Sequence, residues 1–230
     1  MAELVVALDV PGRQEALELA ALLRPVTPWM KVGLELFTAV GPGVVADLKN
    51  LGCAVFLDLK FHDIPNTVRG AVSSAISAGA DICDIHLGGG EAMCRAAAEA
   101  AATGPGGAPS CLLLGVTVLT STSPGEIGGS LEDLVRERAL NGKKWGLGGV
   151  VCSGHEAALV KQSCGPGFKC LCPGIRMPGS GGPGNDDQSR IMTPGKAVRQ
   201  GADFLVVGRP ITRAEDPLAA ARAVWADMRG

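Results

Sequence analysis

Eight short apolar runs recur along the chain, at residues 4–8, 29–34, 54–59, 82–87, 111–119, 149–152, 168–172 and 204–207. Each has the length of a strand buried on both faces, and turn or helix signals bound it. Their starts lie roughly 20 to 40 residues apart, the size of one strand-plus-helix repeat. The segments between them read mostly as amphipathic helices: 13–23, 44–51 ending at Gly52, 67–78 ending at Gly79, 91–102 ending near Gly104, one starting at Ser130, 194–200 and 218–228. Ser130 with Asp133 three residues on resembles a capping box, and a glycine after the last turn is a common helix stop.

Eight alternating units favour a closed parallel barrel, so the expected fold is α/β, a single (β/α)8 TIM barrel forming one domain over residues 1–230. An open doubly wound sheet is the alternative. Against it, Asp9-Val10-Pro11-Gly12 follows the first run where a glycine-rich dinucleotide loop would be expected. No linker divides the chain, and the Gly/Pro-rich tract 173–187 reads as a long surface loop.

With 47% hydrophobic and 19% charged residues, the chain has ample material for a core and lacks the signature of disorder. Its formal charge of −2 is dispersed, without the basic block that a nucleic-acid surface needs. An anionic ligand must therefore be held locally. The first apolar run is too short for a membrane span or a signal segment, and Asp9 interrupts it; the expected location is the cytoplasm. The eight cysteines include no Cys-x-x-Cys pair, and Cys83, Cys111, Cys170 and Cys172 sit within apolar runs. They are expected to act as small buried hydrophobes, not as metal ligands or disulfides.

A parallel barrel places its site at the C-terminal ends of the strands. The residues at the ends of the runs are Asp9, Lys31, Asp58 with Lys60, His86, Thr120, Ser153, Arg176 and Arg209. Each has a plain structural alternative. Asp9 could serve as a turn former or helix cap, and His86 could satisfy a backbone group; Ser153 and His155 are open to the same reading. Lys31 stands in Trp29-Met30-Lys31-Val32-Gly33, where an unpaired ammonium would be costly to bury, so a carboxylate partner is expected. Asp58 and Lys60, two apart on a strand, point to one face. With Lys31 from a neighbouring strand they would form a chain of alternating charges, whose alternative is a salt-bridge network without chemistry. The seventh run leads into Pro173-Gly174-Ile175-Arg176 and the eighth into Gly208-Arg209-Pro210-Ile211-Thr212. Glycine lets backbone N–H groups approach an anion and arginine offers a bidentate fork, as a barrel phosphate site requires.

The run Asp58-Leu59-Lys60-Phe61-His62-Asp63-Ile64-Pro65-Asn66-Thr67 resembles the signature of the orotidine monophosphate decarboxylase family. Its Asp-x-Lys-x-x-Asp core is shared with related sugar-phosphate barrels, whereas Ile-Pro-Asn-Thr is more specific. Further matching motifs lie in order along the chain: Ala7-Leu8-Asp9, Lys31-Val32-Gly33, Thr117-Val118-Leu119-Thr120-Ser121, Pro173-Gly174-Ile175-Arg176, the segment from Asp187 to Pro194, and Gly208-Arg209-Pro210. The resemblance implies decarboxylation of a pyrimidine nucleotide without metal or organic cofactor. It implies Lys60 as proton donor to C6, Asp58 beside the departing carboxylate, and Lys31 tying the array together. Asp63, Ile64 and Thr67 would be given across a homodimer interface. Asp9 would contact the ribose and Thr120 the pyrimidine. Gln188, Gly208 and Arg209 would grip the phosphate with Arg176 nearby, and the glycine-rich loop before Gln188 would close over it. Two other readings remain open: a magnesium-dependent sugar-phosphate decarboxylase or aldolase-like synthase, and a nucleotide-binding barrel without catalysis.

Overall fold

A computed structural model of the chain describes residues 1–102, 111–122, 128–177 and 190–230. The order begins β1 (Glu3–Ala7), α1 (Arg13–Leu23), β2 (Trp29–Gly33), α2 (Leu34–Val40), α3 (Gly43–Asn50), β3 (Ala54–Phe61), α4 (Pro65–Ala78), β4 (Ile82–His86) and α5 (Gly90–Ala101). It continues with β5 (Leu112–Val116), α6 (Leu131–Lys144), β6 (Gly149–Val151), α7 (Ala157–Cys164), β7 (Lys169–Cys172), α8 (Pro194–Arg199), β8 (Phe204–Val207), α9 (Arg209–Thr212) and α10 (Pro217–Arg229). Every strand is parallel to its neighbours, and β1 pairs with both β2 and β8, which closes the sheet. The expected (β/α)8 barrel is therefore the observed architecture, and the open-sheet alternative fails on the β1–β8 ladder.

Side-chain alternation along the strands builds two apolar layers. Val5, Ala7, Phe56, Ile82, Leu114, Val116, Val151, Leu171 and Val206 fill the barrel interior. Leu4, Val6, Met30, Val32, Val55, Leu57, Cys83 and Ile85 face outward and are covered by helices. All eight cysteines are free and buried, as expected, with Cys170 and Cys172 both in the outer layer. Cys111 Sγ donates a weak hydrogen bond to Cys83 Sγ at 3.6 Å, and both remain free thiols.

Local chemistry fixes the helix ends. Ser130 Oγ accepts the Asp133 N–H at 3.3 Å, as its position before α6 suggests. Gly79 ends α4 at φ +101°, a left-handed cap that favours glycine. The structure differs from the sequence reading at several element ends. The run 111–119 supplies a strand only over Leu112–Val116; Thr117 still donates its N–H to the Val151 carbonyl, and the chain then turns at the exposed Leu119, whose carbonyl accepts the Thr122 N–H. Leu34 opens α2 and does not extend β2, and α7 adds a short helix after β6. The helix stop near Gly104 lies outside the described residues.

The lower rim carries its own anchors. Asp81 accepts the Val55 N–H at 2.7 Å and pairs with Lys49; Asp203 accepts the Cys170 N–H at 2.8 Å and pairs with Lys161 and Lys169. Each ties the start of one strand to its neighbour. Close backbone approach is equally local: a Cβ on Gly149 would stand 2.3 Å from the Lys169 carbonyl oxygen. Gly149→Ala is expected to destabilise the barrel by about 2–3 kcal/mol, because backbone on the paired strand cannot yield. Urea unfolding should show a lower midpoint; an unchanged midpoint would contradict this packing.

Candidate active site

The upper ends of the strands surround a cleft of about 310 Å³, floored by Ala7, Phe56, Val116, Val151, Leu171 and Val206 of the interior layer. Its volume sits at the lower end of the range of small-molecule sites. Above this apolar floor stand the charges. Lys31, on β2 and 7% exposed, donates to Asp9 Oδ1 at 2.9 Å and lies 3.2 Å from Asp58 Oδ2. Asp58 Oδ1 in turn accepts from Lys60 Nζ. The line Asp9–Lys31–Asp58–Lys60 thus runs across β1, β2 and β3 with alternating sign, and the carboxylate partner expected for Lys31 is present twice.

Burial and pairing set the protonation of this line. Burial pushes the Lys31 ammonium down, but the Asp58 and Asp9 carboxylates outweigh it and hold the group above its usual range. Burial pushes the Asp58 carboxyl up, but the Lys31 and Lys60 ammonium groups outweigh it and hold the group below its usual range. Both shifts favour the charged forms near neutrality. Gly33 makes the room: a Cβ there would come within 2.6 Å of Lys31 Nζ and 3.2 Å of Asp9 Oδ1.

Lys60 reaches the cleft through an irregularity that the sequence does not reveal. Between Leu57 and Phe61 the β3–β4 register shifts, so β3 advances from Leu57 to Phe61 while β4 advances only from Cys83 to Ile85. At the bulge Lys60 has φ +52°, the one non-glycine residue with positive φ among the described residues. Such a conformation costs about 1–3 kcal/mol and persists only where its surroundings enforce it. Here the Lys60 N–H donates to Asp84 Oδ1 at 2.8 Å, while its Nζ is held by Asp58. Asp84 sits on β4 at 0% exposure. Burial and then the Asp58 carboxylate push its carboxyl well above the usual range, against the pull of Lys60.

The expected ligand contacts divide into three groups. Asp9, Lys31, Asp58, Lys60, Thr120, Arg176, Gly208 and Arg209 all line the cleft. Gly208 closes β8 over β1, with its Cβ position 3.4 Å from Ala7 Cβ and 3.5 Å from Asp9 Oδ2. Asp63, Ile64 and Thr67 do not line it; they lie exposed where β3 passes into α4, with Ile64 at 66% exposure. Gln188 and the glycine-rich loop before it lie outside the described residues. His86 is also outside the cleft lining, its ring 5.5 Å from that of His62.

Two features escaped the sequence reading. Asp84 was hidden by its neighbours, although a carboxylate inside Ile82-Cys83-Asp84-Ile85 was a signal of the same kind as Lys31. The second is a clasp on the rim. Arg190 pairs with Glu156, donates to the Leu119 carbonyl at 3.2 Å, and Glu156 accepts the Ser153 N–H at 2.9 Å. It joins the segment entering α8 to the turns after β5 and β6. His155 reaches the same segment, with Nε2 3.2 Å from the Ile191 carbonyl.

Comparison with known proteins agrees with this geometry. Residues 2–224 match the model of the "Orotidine 5'-phosphate decarboxylase / HUMPS family". A protein of Nitratidesulfovibrio vulgaris (strain DSM 19637 / Miyazaki F) named orotidine 5'-phosphate decarboxylase is 59% identical, with both chains fully covered. One of the same name from Maridesulfovibrio salexigens is 51% identical over 99% of each chain. The crystal structure of orotidine 5'-phosphate decarboxylase from Lactobacillus acidophilus superposes with a TM-score of 0.85 at 33% identity, covering 100% of both chains. By its sequence along nearly its whole length, and by the barrel that carries the charge line, this chain belongs to the orotidine 5'-phosphate decarboxylase / HUMPS family.

Proposed function

We propose that the chain, acting as one catalytic domain over residues 1–230, decarboxylates orotidine 5'-monophosphate to uridine 5'-monophosphate in pyrimidine biosynthesis. The observation that carries this reading is the Lys31–Asp58–Lys60 array over an apolar floor, on a chain 59% identical to a protein named for that reaction. In the reaction the bond between C6 and the carboxylate breaks, CO2 departs, and the electron pair stays on C6. No carbonyl lies adjacent to take up that charge, so stabilisation falls to groups fixed beforehand in a site shielded from water. The Lys60 ammonium is such a group. It faces the developing carbanion and then transfers a proton from Nζ to C6. Asp58 orients Lys60 and stands beside the substrate carboxylate, while Lys31 keeps Asp58 ionised. The reading calls for neither metal nor organic cofactor.

The remaining roles follow the polar rim. Asp9 contacts the ribose and Thr120 the pyrimidine. Gly208 and Arg209, with Arg176 and Gln188, hold the phosphate, whose binding energy is used at the distant ring. Asp63, Ile64 and Thr67 are assigned to the neighbouring site of a homodimer; their exposed position at the start of α4 supports that role. Cytoplasmic location belongs to the same reading, and no described helix is long and apolar enough to cross a membrane.

Purified protein mixed with orotidine 5'-monophosphate should give the ultraviolet change of decarboxylation, equally with and without a chelator. No conversion would overturn the reading; conversion lost on chelation would favour a magnesium-dependent sugar-phosphate type of site. Lys60→Ala should reduce kcat by at least about 1,000-fold, the scale of losing both a general acid and a charge stabiliser. Substantial residual turnover would refute its role. Arg209→Ala should raise KM by about 10- to 100-fold, as expected for one lost charge-assisted phosphate contact; unchanged kinetics with the full nucleotide would count against the phosphate assignment.

A further inference from the structure

We propose that Asp84 is a positioning residue held as the neutral acid: Oδ2 carries a proton donated to Asp58, and Oδ1 accepts the Lys60 N–H, which fixes the left-handed bulge at Lys60. The assignment of the bulge to catalysis rests on the decarboxylase reading above; the protonation of Asp84 does not.

Asp84 is fully buried, and its Oδ1 accepts the Lys60 N–H at 2.8 Å. Its Oδ2 is also sealed from solvent, yet among the described residues no N–H or O–H donor reaches it. The side chain that acts on Asp84 both through its charge and through a side-chain hydrogen bond is the Asp58 carboxylate. Two ionised carboxylates cannot share such a contact, because like charges in a dry site repel and each lacks a donor. One proton resolves both problems. It belongs on Asp84, since Asp58 is flanked by the Lys31 and Lys60 ammonium groups and Asp84 has only a backbone amide on its other oxygen. The remaining surroundings agree: Leu114 is its register partner on β5, and Cys83 and His86 are the nearest titratable groups along β4.

The consequence is mechanical. A neutral acid at Asp84 supplies one further hydrogen bond to the Asp58 carboxylate without adding negative charge to the array. Its other oxygen pins the backbone of Lys60 in a conformation that an L-residue otherwise avoids. The Lys60 ammonium is thereby aimed from both ends, by Asp58 at Nζ and by Asp84 at the main chain.

Two variants and one spectrum test this. Asp84→Asn keeps an acceptor for the Lys60 N–H and a donor for Asp58, so it should retain kcat within about tenfold of wild type. Asp84→Ala removes both and should lower kcat by about 100-fold, the scale of a displacement near 1 Å, with KM changed less than about threefold. Equal losses in the two variants, or an Ala variant with wild-type kcat, would overturn the positioning role. The infrared difference spectrum of wild type minus Asp84→Asn at neutral pH should show the C=O stretch of a protonated carboxylic acid. A difference confined to ionised carboxylate bands would overturn the protonation. This spectrum needs no turnover, so it decides the point even if the Ala variant fails to fold or the wild-type enzyme proves inactive on orotidine 5'-monophosphate.

Discussion

Lys31 places an ammonium where a barrel strand would normally carry an apolar side chain, and the upper half of the molecule is arranged around that charge. An unpaired cation at 7% exposure would be untenable. Asp9, just past the end of β1, and Asp58 on β3 neutralise it from either side. Of the two, Asp58 is the buried partner, with its side chain 14% exposed against 47% for Asp9, and breaking a buried pair typically costs about 3–5 kcal/mol. Gly33 is tied to the same charge, since any side chain there would occupy the space of Nζ. Asp58 then has a free oxygen for Lys60, and the pairing extends to the mouth of the cleft.

The barrel wall makes this array rigid. Ala7, Phe56 and Val116 are buried in the apolar floor of the cleft, and Lys31 and Asp58, with side chains 9% and 14% exposed, pair in a medium less polar than water. The price is local strain at Lys60, where the regular ladder between β3 and β4 breaks and the backbone turns left-handed. A closed sheet tolerates such a break because the strands on both sides are held elsewhere, including by Asp81 and Asp203 at the opposite rim. Side-chain anchors of the strand starts stand at one end of the barrel and the charge line at the other, as the fold permits.

Much of this was legible in the chain. Period and spacing gave the strands to within a few residues, because an apolar run bounded by turn formers has few other ways to be buried. Lys31, Asp58 and Lys60 were legible as a group for physical reasons: a lysine within an apolar strand demands a partner, and residues two apart share a face. The end of β5 was not legible, since apolar content continues past Val116 while the strand ends there and the chain turns at Leu119. Asp84 was equally obscured, because its importance lies in what stands across from it on β3.

The sequence by itself determined the alternation of strand and helix, the sign and order of the charges along the strands, and the family to which those motifs point. It could do so because burial periodicity and the cost of an unpaired charge act on neighbours in the chain. Only the tertiary structure decided that β1 meets β8, that Lys60 sits on a bulge, that the buried Asp84 accepts the Lys60 N–H, and that Arg190 clasps Glu156. Each of these depends on the distance between groups far apart in sequence, which is fixed by barrel closure and strand register and has no local signature.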